Sequence, residues 1–521
     1  MEIKRFLYFF TFLGYTSVVV AQVYQPDHYE ARRSHFKYFK DSSMTLVYQT
    51  IPSIKLEEYD GALEFKTLSP SIGLSFNSAR PFGYNDGSLW KGKGLTTDLS
   101  VGVSSTWKNL NFTFFPRIFW SQNSAFDLSP KVKDNKSIYN YQFNIIGDLD
   151  YVQRYGSQPF VAFDWGQTEL RYSNKWMTLA ASTANYTLGP GSQHSILMSR
   201  QAGGFPHVEV GTNQFIPISI KNIDLGSILF KNRIGQLSES EYFDSITEND
   251  PRYINTFSIG YKPPFLDGFK IGVERVFYQN MEFVELKDLF RGFWYFNNRD
   301  RVAGIDGDTV NDRFDQMASF HLEYIVRKPG LRIYGEFSKN DFNGSFRDFL
   351  ISTAHARGYT LGFDKMFVVD KGKVLLTYET SNIARTGAFT YRPEPSYYLH
   401  YQSVGGYTNQ GQIMGLGTGP GSHVHTISLK VLNENSMFET TFHRAQIDED
   451  YFQEVYGFLT PDYSNRHLRS AEYAAFFSYT NWVKKFAYTI EVIPSIRINQ
   501  DFILENDQPN LSAGINLTYF L

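Results

Sequence analysis

Flat aromatic rings interleaved with amide, carboxyl and amine groups are the chemistry of sugar recognition, and one stretch concentrates them. Residues 70–94 read PSIGLSFNSARPFGYNDGSLWKGKG. Tyr84 and Trp90 offer ring faces on which the apolar side of a sugar can stack. Asn85, Asp86, Lys91 and Lys93 supply hydrogen-bonding partners for hydroxyls or acids. The same residues also read as punctuation: Asn85-Asp86-Gly87 is a tight-turn signal, and Trp90 suits a membrane interface. Trp294, Tyr295 and Tyr451 are further aromatic candidates for a carbohydrate contact.

A second set of ionisable residues recurs at alternate positions of strand-like runs. Glu274, Glu323, Glu336, Glu379, Glu439 and Glu491 share one phase with Arg332 and Arg497. Carboxylates gathered in one narrow space repel unless paired. The pattern therefore predicts a lumen filled by an ion-pair lattice or a charge-lined conduit.

Other chemistry finds little footing. His423 and His425 would share a strand face, as metal ligands can, but no third ligand lies nearby, so they read as a wet-face pair. The run 411–421 (GQIMGLGTGPG) lacks the helix and Gly-Lys-Ser/Thr of a phosphate loop and reads as outer-loop backbone. Asp448-Glu449-Asp450 and residues 305–312 are acidic, without calcium-hand spacing. There is no Gly-x-Ser-x-Gly and no His-Glu-x-x-His, so no enzyme and no cofactor is expected. The chain has no cysteine, and its net charge of −3 argues against nucleic acid as a partner.

The elements that must position these residues are strands. In the last twelve residues, Leu511, Ala513, Ile515, Leu517, Tyr519 and Leu521 alternate with Asn510, Ser512, Gly514, Asn516 and Thr518. Successive strand side chains point to opposite faces, so this segment has one apolar and one polar face. A soluble sandwich shows the same alternation, but here it recurs along the chain. Phe320, Leu322 and Tyr324 oppose His321 and Glu323. Tyr473, Ala475, Phe477 and Tyr479 oppose Glu472 and Ser478. Ile490 and Val492 oppose Glu491.

Connection lengths alternate as well. The short ones are 327–330, 368–373, 432–436 and 481–484; the long ones are 278–313, 340–357, 382–421, 447–467 and 500–509. This is the rhythm of an outer-membrane barrel with short periplasmic turns and long outer loops, and it predicts about eighteen strands. Residues 138–153 fit either a strand or a loop, 188–214 are irregular, and 282–293 read as a loop helix with Phe283, Leu286, Leu289 and Phe290 on one face. Aromatics make up 17% of the chain, enough for two interfacial girdles.

The organisation predicted is a signal peptide over 1–21, a short periplasmic lead-in over 22–60 with a helix at 28–40, and an all-β transmembrane antiparallel barrel over 61–521. No later segment has the unbroken apolar length of a membrane helix. The location expected is the bacterial outer membrane, with both termini periplasmic and the long loops extracellular.

The 70–94 stretch resembles the start of the Wzi capsule-assembly family of outer-membrane barrels. A second match is 188–210 (LGPGSQHSILMSRQAGGFPHVEV), which resembles that family's Gly-Pro-Gly segment. Asp164-Trp165-Gly166 and the late glutamate-bearing strands also fit. The front departs: 22–60 is shorter than the family's periplasmic helical bundle. The chain also ends on Leu521 rather than an aromatic residue.

The resemblance implies an eighteen-stranded barrel with a lectin-like role, holding capsular or other exopolysaccharide at the cell surface. Tyr84, Asn85, Asp86, Trp90 and Lys93 head the expected contacts, with outer-membrane lipid around the wall. Two other functions fit the residues: a transport barrel, or an accessory subunit of a surface-protein export or gliding machine, which would add protein partners.

Overall fold

The computed structural model describes residues 63–130, 137–141, 149–247, 250–290, 314–328, 330–340, 346–387, 394–400, 403–459 and 462–520. The expected signal peptide, the lead-in with its helix, the acidic run 305–312, and Trp294 and Tyr295 lie outside these residues.

Strand β1 (Glu64–Asn77) pairs on one side with β2 (Gly94–Trp107) and on the other with the final strand, β18 (Gln508–Tyr519). That second pairing closes the sheet, and closure leaves no unpaired edge to face lipid. The sheet holds 21 hydrogen-bonded segments, but three pairs of these are single strands with a break.

Leu110–Phe114 and Arg117–Ser121 both pair with β2 and form β3. Pro116, which has no N–H to donate, sits at its break. Phe160–Asp164 and Glu169–Ser173 face the two halves of β3 and form β4. Its break is the Asp164-Trp165-Gly166 turn. Gly166 has φ +59°, and a Cβ there would lie 2.3 Å from the Phe115 carbonyl oxygen. After β5 (Met177–Ser182), His207–Thr212 and Ile216–Ile220 together form β6 against β7 (Ile223–Leu237).

The remaining strands are β8 (Arg252–Lys262), β9 (Phe269–Asn280), β10 (Phe314–Val326), β11 (Leu331–Asn340), β12 (Arg357–Val369), β13 (Gly372–Asn382), β14 (His423–Leu432), β15 (Ser436–Ile447), β16 (Ser470–Val483) and β17 (Phe486–Ile498). Each pairs antiparallel with the next, giving a closed barrel of 18 strands. The expected strand number and the alternation of short and long connections both hold.

The wall obeys the period of two. On β18 Leu511, Ile515 and Leu517 are 47%, 46% and 43% exposed, whereas Asn510 and Ser512 are 5% and 7% exposed. Phe320, Leu322, Phe442, Phe477 and Ile490 continue the outward apolar band. Trp107, Trp176, Phe265, Phe367 and Phe486 expose rings beside the short connections, as one interfacial girdle requires.

The interior departs from the simple wet-face expectation. Near the outer ends the inward positions are apolar: Leu237, Ile254, Val276, Tyr278, Met317, Val424 and Ala445 are all buried. They pack against two loops that fold into the barrel, one between β5 and β6 and one between β13 and β14. Leu188, Ile196, Leu197 and Met198 come from the first; Tyr397, Tyr398, Tyr407, Ile413 and Leu416 come from the second. Much of the aromatic content thus fills the lumen rather than the girdles.

Three local expectations are corrected. The glycine-rich run 411–421 is loop backbone, but it lies buried inside the barrel, where missing side chains let it pack against the first loop. The described part of 282–293, residues 282–290, does not form one helix. Met281–Phe283 and Leu286–Phe290 are separate 3-10 turns, and Leu286, assigned to the apolar face, is 77% exposed. The buried Asp288 carboxylate instead accepts from Glu285 N and Gln279 Nε2, both at 2.9 Å, which breaks the run. His423 and His425 are not on the wet face: they share the outward phase of β14 with Ile427 and Leu429. Of residues 138–153, those described form two isolated bridges, Asn140 to Val152 and Leu149 to Gly405, and no strand.

Candidate functional site

The loop between β1 and β2 bends inward because buried amides fasten it. Asn77 Nδ2 donates to the carbonyls of Phe82 (3.2 Å), Lys91 (2.8 Å) and Gly92 (3.3 Å). Asn510 Oδ1 accepts from Ala79 N at 2.8 Å. Asn85 N donates to Gln201 Oε1 at 2.8 Å and Asn85 Nδ2 to the Gln193 carbonyl at 2.9 Å. Gly87 N donates to the Arg200 carbonyl at 2.8 Å. Asn85 therefore ties the loop to the first inward-folded segment.

That folding aims Arg80 and Tyr84 at β16. Glu472, with a side chain 1% exposed, accepts from Arg80 Nη2 at 2.7 Å, from Arg497 Nη2 at 2.9 Å and from the Tyr84 hydroxyl. Two guanidinium groups and a phenol satisfy a carboxylate that could not otherwise stay ionised in the interior. Burial first, and then the Glu472 charge, push the Tyr84 hydroxyl well above its ordinary pKa, so it remains an O–H donor. Beside it, Lys91 Nζ lies 2.7 Å from Asp86 Oδ1. Burial raises the Asp86 carboxyl and Lys91 partly offsets that rise; Glu491 also acts on Lys91.

These side chains line one face of a cavity of 180 Å³. Trp90 stands on its wall with the Tyr155 ring 4.9 Å away, edge to face. Tyr141, Tyr151 and Asp448 close the other side. The Tyr141 hydroxyl donates to Asp448 Oδ2 at 3.4 Å, and burial holds the Asp448 carboxyl well above the usual range. Three buried N–H donors at this cavity, Trp90 Nε1, Arg80 Nε and Arg497 Nε, have no hydrogen-bond partner among the described residues. Buried donors are normally satisfied, so each leaves unused hydrogen-bonding capacity in the cavity lining, which a small shift of its side chain would present to an acceptor oxygen.

Of the candidate residues singled out in the sequence, Tyr84, Asp86, Trp90, Lys91 and Arg497 line the cavity. Asn85 braces it from behind. The side chain of Lys93 does not reach it. Tyr451 stacks on Phe502, with ring centroids 5.0 Å apart, next to the cavity but not on its wall. Sequence reasoning did not assign Arg80, Glu472, Tyr141, Tyr151 or Asp448 to this site; it placed Glu472 only on a polar strand face and Asp448 only in an acidic run. Glu472 had a readable signal, because it pairs in register with Arg497 across the β16–β17 hairpin. Tyr141 and Tyr151 had none, since a loop without periodicity carries them.

The other inward charges divide into two kinds. Glu323 binds Lys270 and, at 2.6 Å, Arg332; Arg332 reaches Asp364 at 3.0 Å; Lys430 reaches Glu439 at 3.2 Å. Glu209, missing from the sequence-based set, holds Arg171, Lys231 and Arg233, each at 2.7 Å. Glu274, Glu336 and Glu379 make no ion pair among the described residues, so the lattice does not extend to them. Glu379 instead receives the backbone N–H groups of Gln193 (3.0 Å) and His194 (2.7 Å) and the Tyr334 hydroxyl (2.6 Å). Arg332 also donates to the Pro190 carbonyl at 2.7 Å. The lattice therefore latches the inward-folded segment.

Gly189 belongs to the same latch. Its φ is +91°, and a Cβ would lie 2.7 Å from Glu336 Oε2. Gly189→Ala is expected to destabilise the fold by about 1–3 kcal/mol, read as a lower urea midpoint of the folded, heat-modifiable band.

A family model described as capsule assembly protein Wzi matches residues 86–485. The chain belongs to the Wzi family. This Wzi-family barrel is similar in structure to Escherichia coli Wzi, an outer-membrane protein involved in group 1 capsule assembly and a carbohydrate-binding β-barrel. The TM-score is 0.59 at 11% identity, over 96% of this chain and 100% of that one. OccAB2 of Acinetobacter baumannii matches with a TM-score of 0.41 at 10% identity, over 87% and 97%. No curated protein matches the sequence. Membership, closure and the outward apolar band place the protein in the outer membrane. Among the described residues no helix is long and apolar enough to cross a membrane.

Proposed function

We propose that this Wzi-family barrel is a lectin-like protein that holds a surface polysaccharide at its outer end. The observation that carries the reading is the 180 Å³ cavity, where ring faces from Trp90, Tyr84, Tyr141 and Tyr151 meet three unpartnered buried donors. Rings stack on the C–H faces of a sugar while fixed N–H groups select its hydroxyl or ring oxygens. The site is pre-organised: Asn77, Asn85 and Glu472 fix its geometry before any ligand arrives, which lowers the ordering cost of binding.

The test uses the purified full-length protein in detergent and biotinylated polysaccharide isolated from the same cells, with dextran as the control glycan. Saturable binding to the cell's own polysaccharide and not to dextran is expected. Equal binding to both, or none, overturns the proposal.

A further inference from the structure

The outward face of β12–β17 carries a second site, unrelated to the lumen. Each member lies in the outer half of its strand, on the phase that otherwise bears the apolar band. The rings of His423 and His425 are in contact, with centroids 4.4 Å apart and planes inclined by 52°. Tyr378 Oη lies 3.1 Å from His425 Nδ1. Arg444 is opposite His425 in register, and Tyr473 is opposite Arg444. Arg357, at the start of β12, acts electrostatically on His423 together with Arg444. Arg357 Nη1 is buried and has no hydrogen-bond partner among the described residues.

Neither arginine forms an ion pair with a described carboxylate. Of the acids just beyond β15, Glu449 is held by Arg469 at 2.9 Å and also receives Gln446 Nε2, and Asp448 accepts from the Tyr141 hydroxyl. Two permanent cations and two imidazoles on a lipid-facing wall, with no counter-charge among the described residues, call for an anion from the surroundings.

Directly below the cations the wall recedes. Ala475 and Pro494, small or flat, leave an apolar groove of 620 Å³ between the larger Ile427, Phe442, Tyr473 and Ile496. On one adjoining surface, then, cationic and imidazole groups lie toward the outer ends of the strands, beside an apolar groove in the wall.

We propose that this surface is a docking site for one phosphorylated outer-leaflet glycolipid of the lipid A class. Its phosphate engages Arg357 and Arg444, with the histidines as additional hydrogen-bonding groups, and one acyl chain lies in the groove over Ala475 and Pro494. Guanidinium forks match phosphate geometry, and acyl burial supplies the affinity that a free phosphate lacks.

The test is native mass spectrometry of the full-length protein in detergent, titrated with lipid A, with dephosphorylated lipid A and with inorganic phosphate. One lipid A is expected to bind per barrel. Arg357→Ala/Arg444→Ala is expected to weaken it about thirtyfold, at the usual worth of two interfacial cations. Ala475→Trp, which fills the groove and leaves the charges intact, is expected to weaken lipid A without creating phosphate binding. Retention of lipid A by both variants, or equal binding of dephosphorylated lipid A, overturns the proposal. Displacement of lipid A by millimolar inorganic phosphate also overturns it, by making the site a simple anion site. Heat-modifiable migration checks that each variant is folded.

Discussion

Trp90→Ala is expected to weaken binding of the purified barrel to its cells' own polysaccharide by about tenfold, equivalent to about 1.4 kcal/mol. Removing one stacking face accounts for an effect of that size. The substitution takes the ring that faces Tyr155 and the unpartnered Nε1 off the wall of the 180 Å³ cavity. It touches neither the Glu472 cluster nor the closing β1–β18 pairing, so the heat-modifiable band should be unchanged. Trp90→Phe separates two contributions: it keeps a ring face and loses the donor, and should recover part of the affinity. Full affinity in Trp90→Ala would remove this cavity as the glycan site.

The largest structural effect is expected from Arg332→Met. Arg332 is fully buried, bound to Glu323 and Asp364 and to the Pro190 carbonyl of the inward-folded segment. Taking the guanidinium away leaves Asp364 without its cation and Glu323 with Lys270 alone. Breaking a buried pair from one side costs about 3–5 kcal/mol. A lower urea midpoint of the heat-modifiable band measures it.

The same latch makes a functional prediction. With Leu188, Ile196 and Leu197 packed against Ile413 and Leu416, the wild-type barrel should pass little steady current in planar bilayers. Arg332→Met/Glu379→Gln, which also weakens the grip on Gln193 N and His194 N, should pass more. A large steady wild-type current would favour the conduit reading of the lumen charges. An unchanged midpoint in Arg332→Met would mean that the latch holds nothing.

The wall was legible in the sequence because membrane crossing leaves a rule with no exceptions: alternate residues face lipid and every backbone group must pair. Leu511, Ile515 and Leu517 follow that rule, and so do the long and short connections. The interior was less legible. The wet-face rule assumes water inside, and it fails where a loop of the same chain fills the lumen and makes Val276 or Met317 inward-facing core. His423 and His425 were misassigned for a related reason, since polarity was taken to mean inward and the outer rim of the wall tolerates polar residues. Tyr84, Asp86 and Trp90, singled out in the sequence by residue type and by the family resemblance, line the candidate cavity. Tyr141, Tyr151 and Asp448 were not assigned to it, because tertiary folding of separate outer loops brings them there and no spacing records it.

The central claim is retention of polysaccharide at the cell surface by the outer cavity. Its most direct test is the split of surface polysaccharide between cells and medium in a strain lacking this protein, then restored with the wild type or with Trp90→Ala. The account predicts that deletion sheds polysaccharide into the medium at unchanged total synthesis, that the wild type restores the cell-bound fraction, and that Trp90→Ala restores it only in part. An unchanged cell-bound fraction on deletion would contradict it.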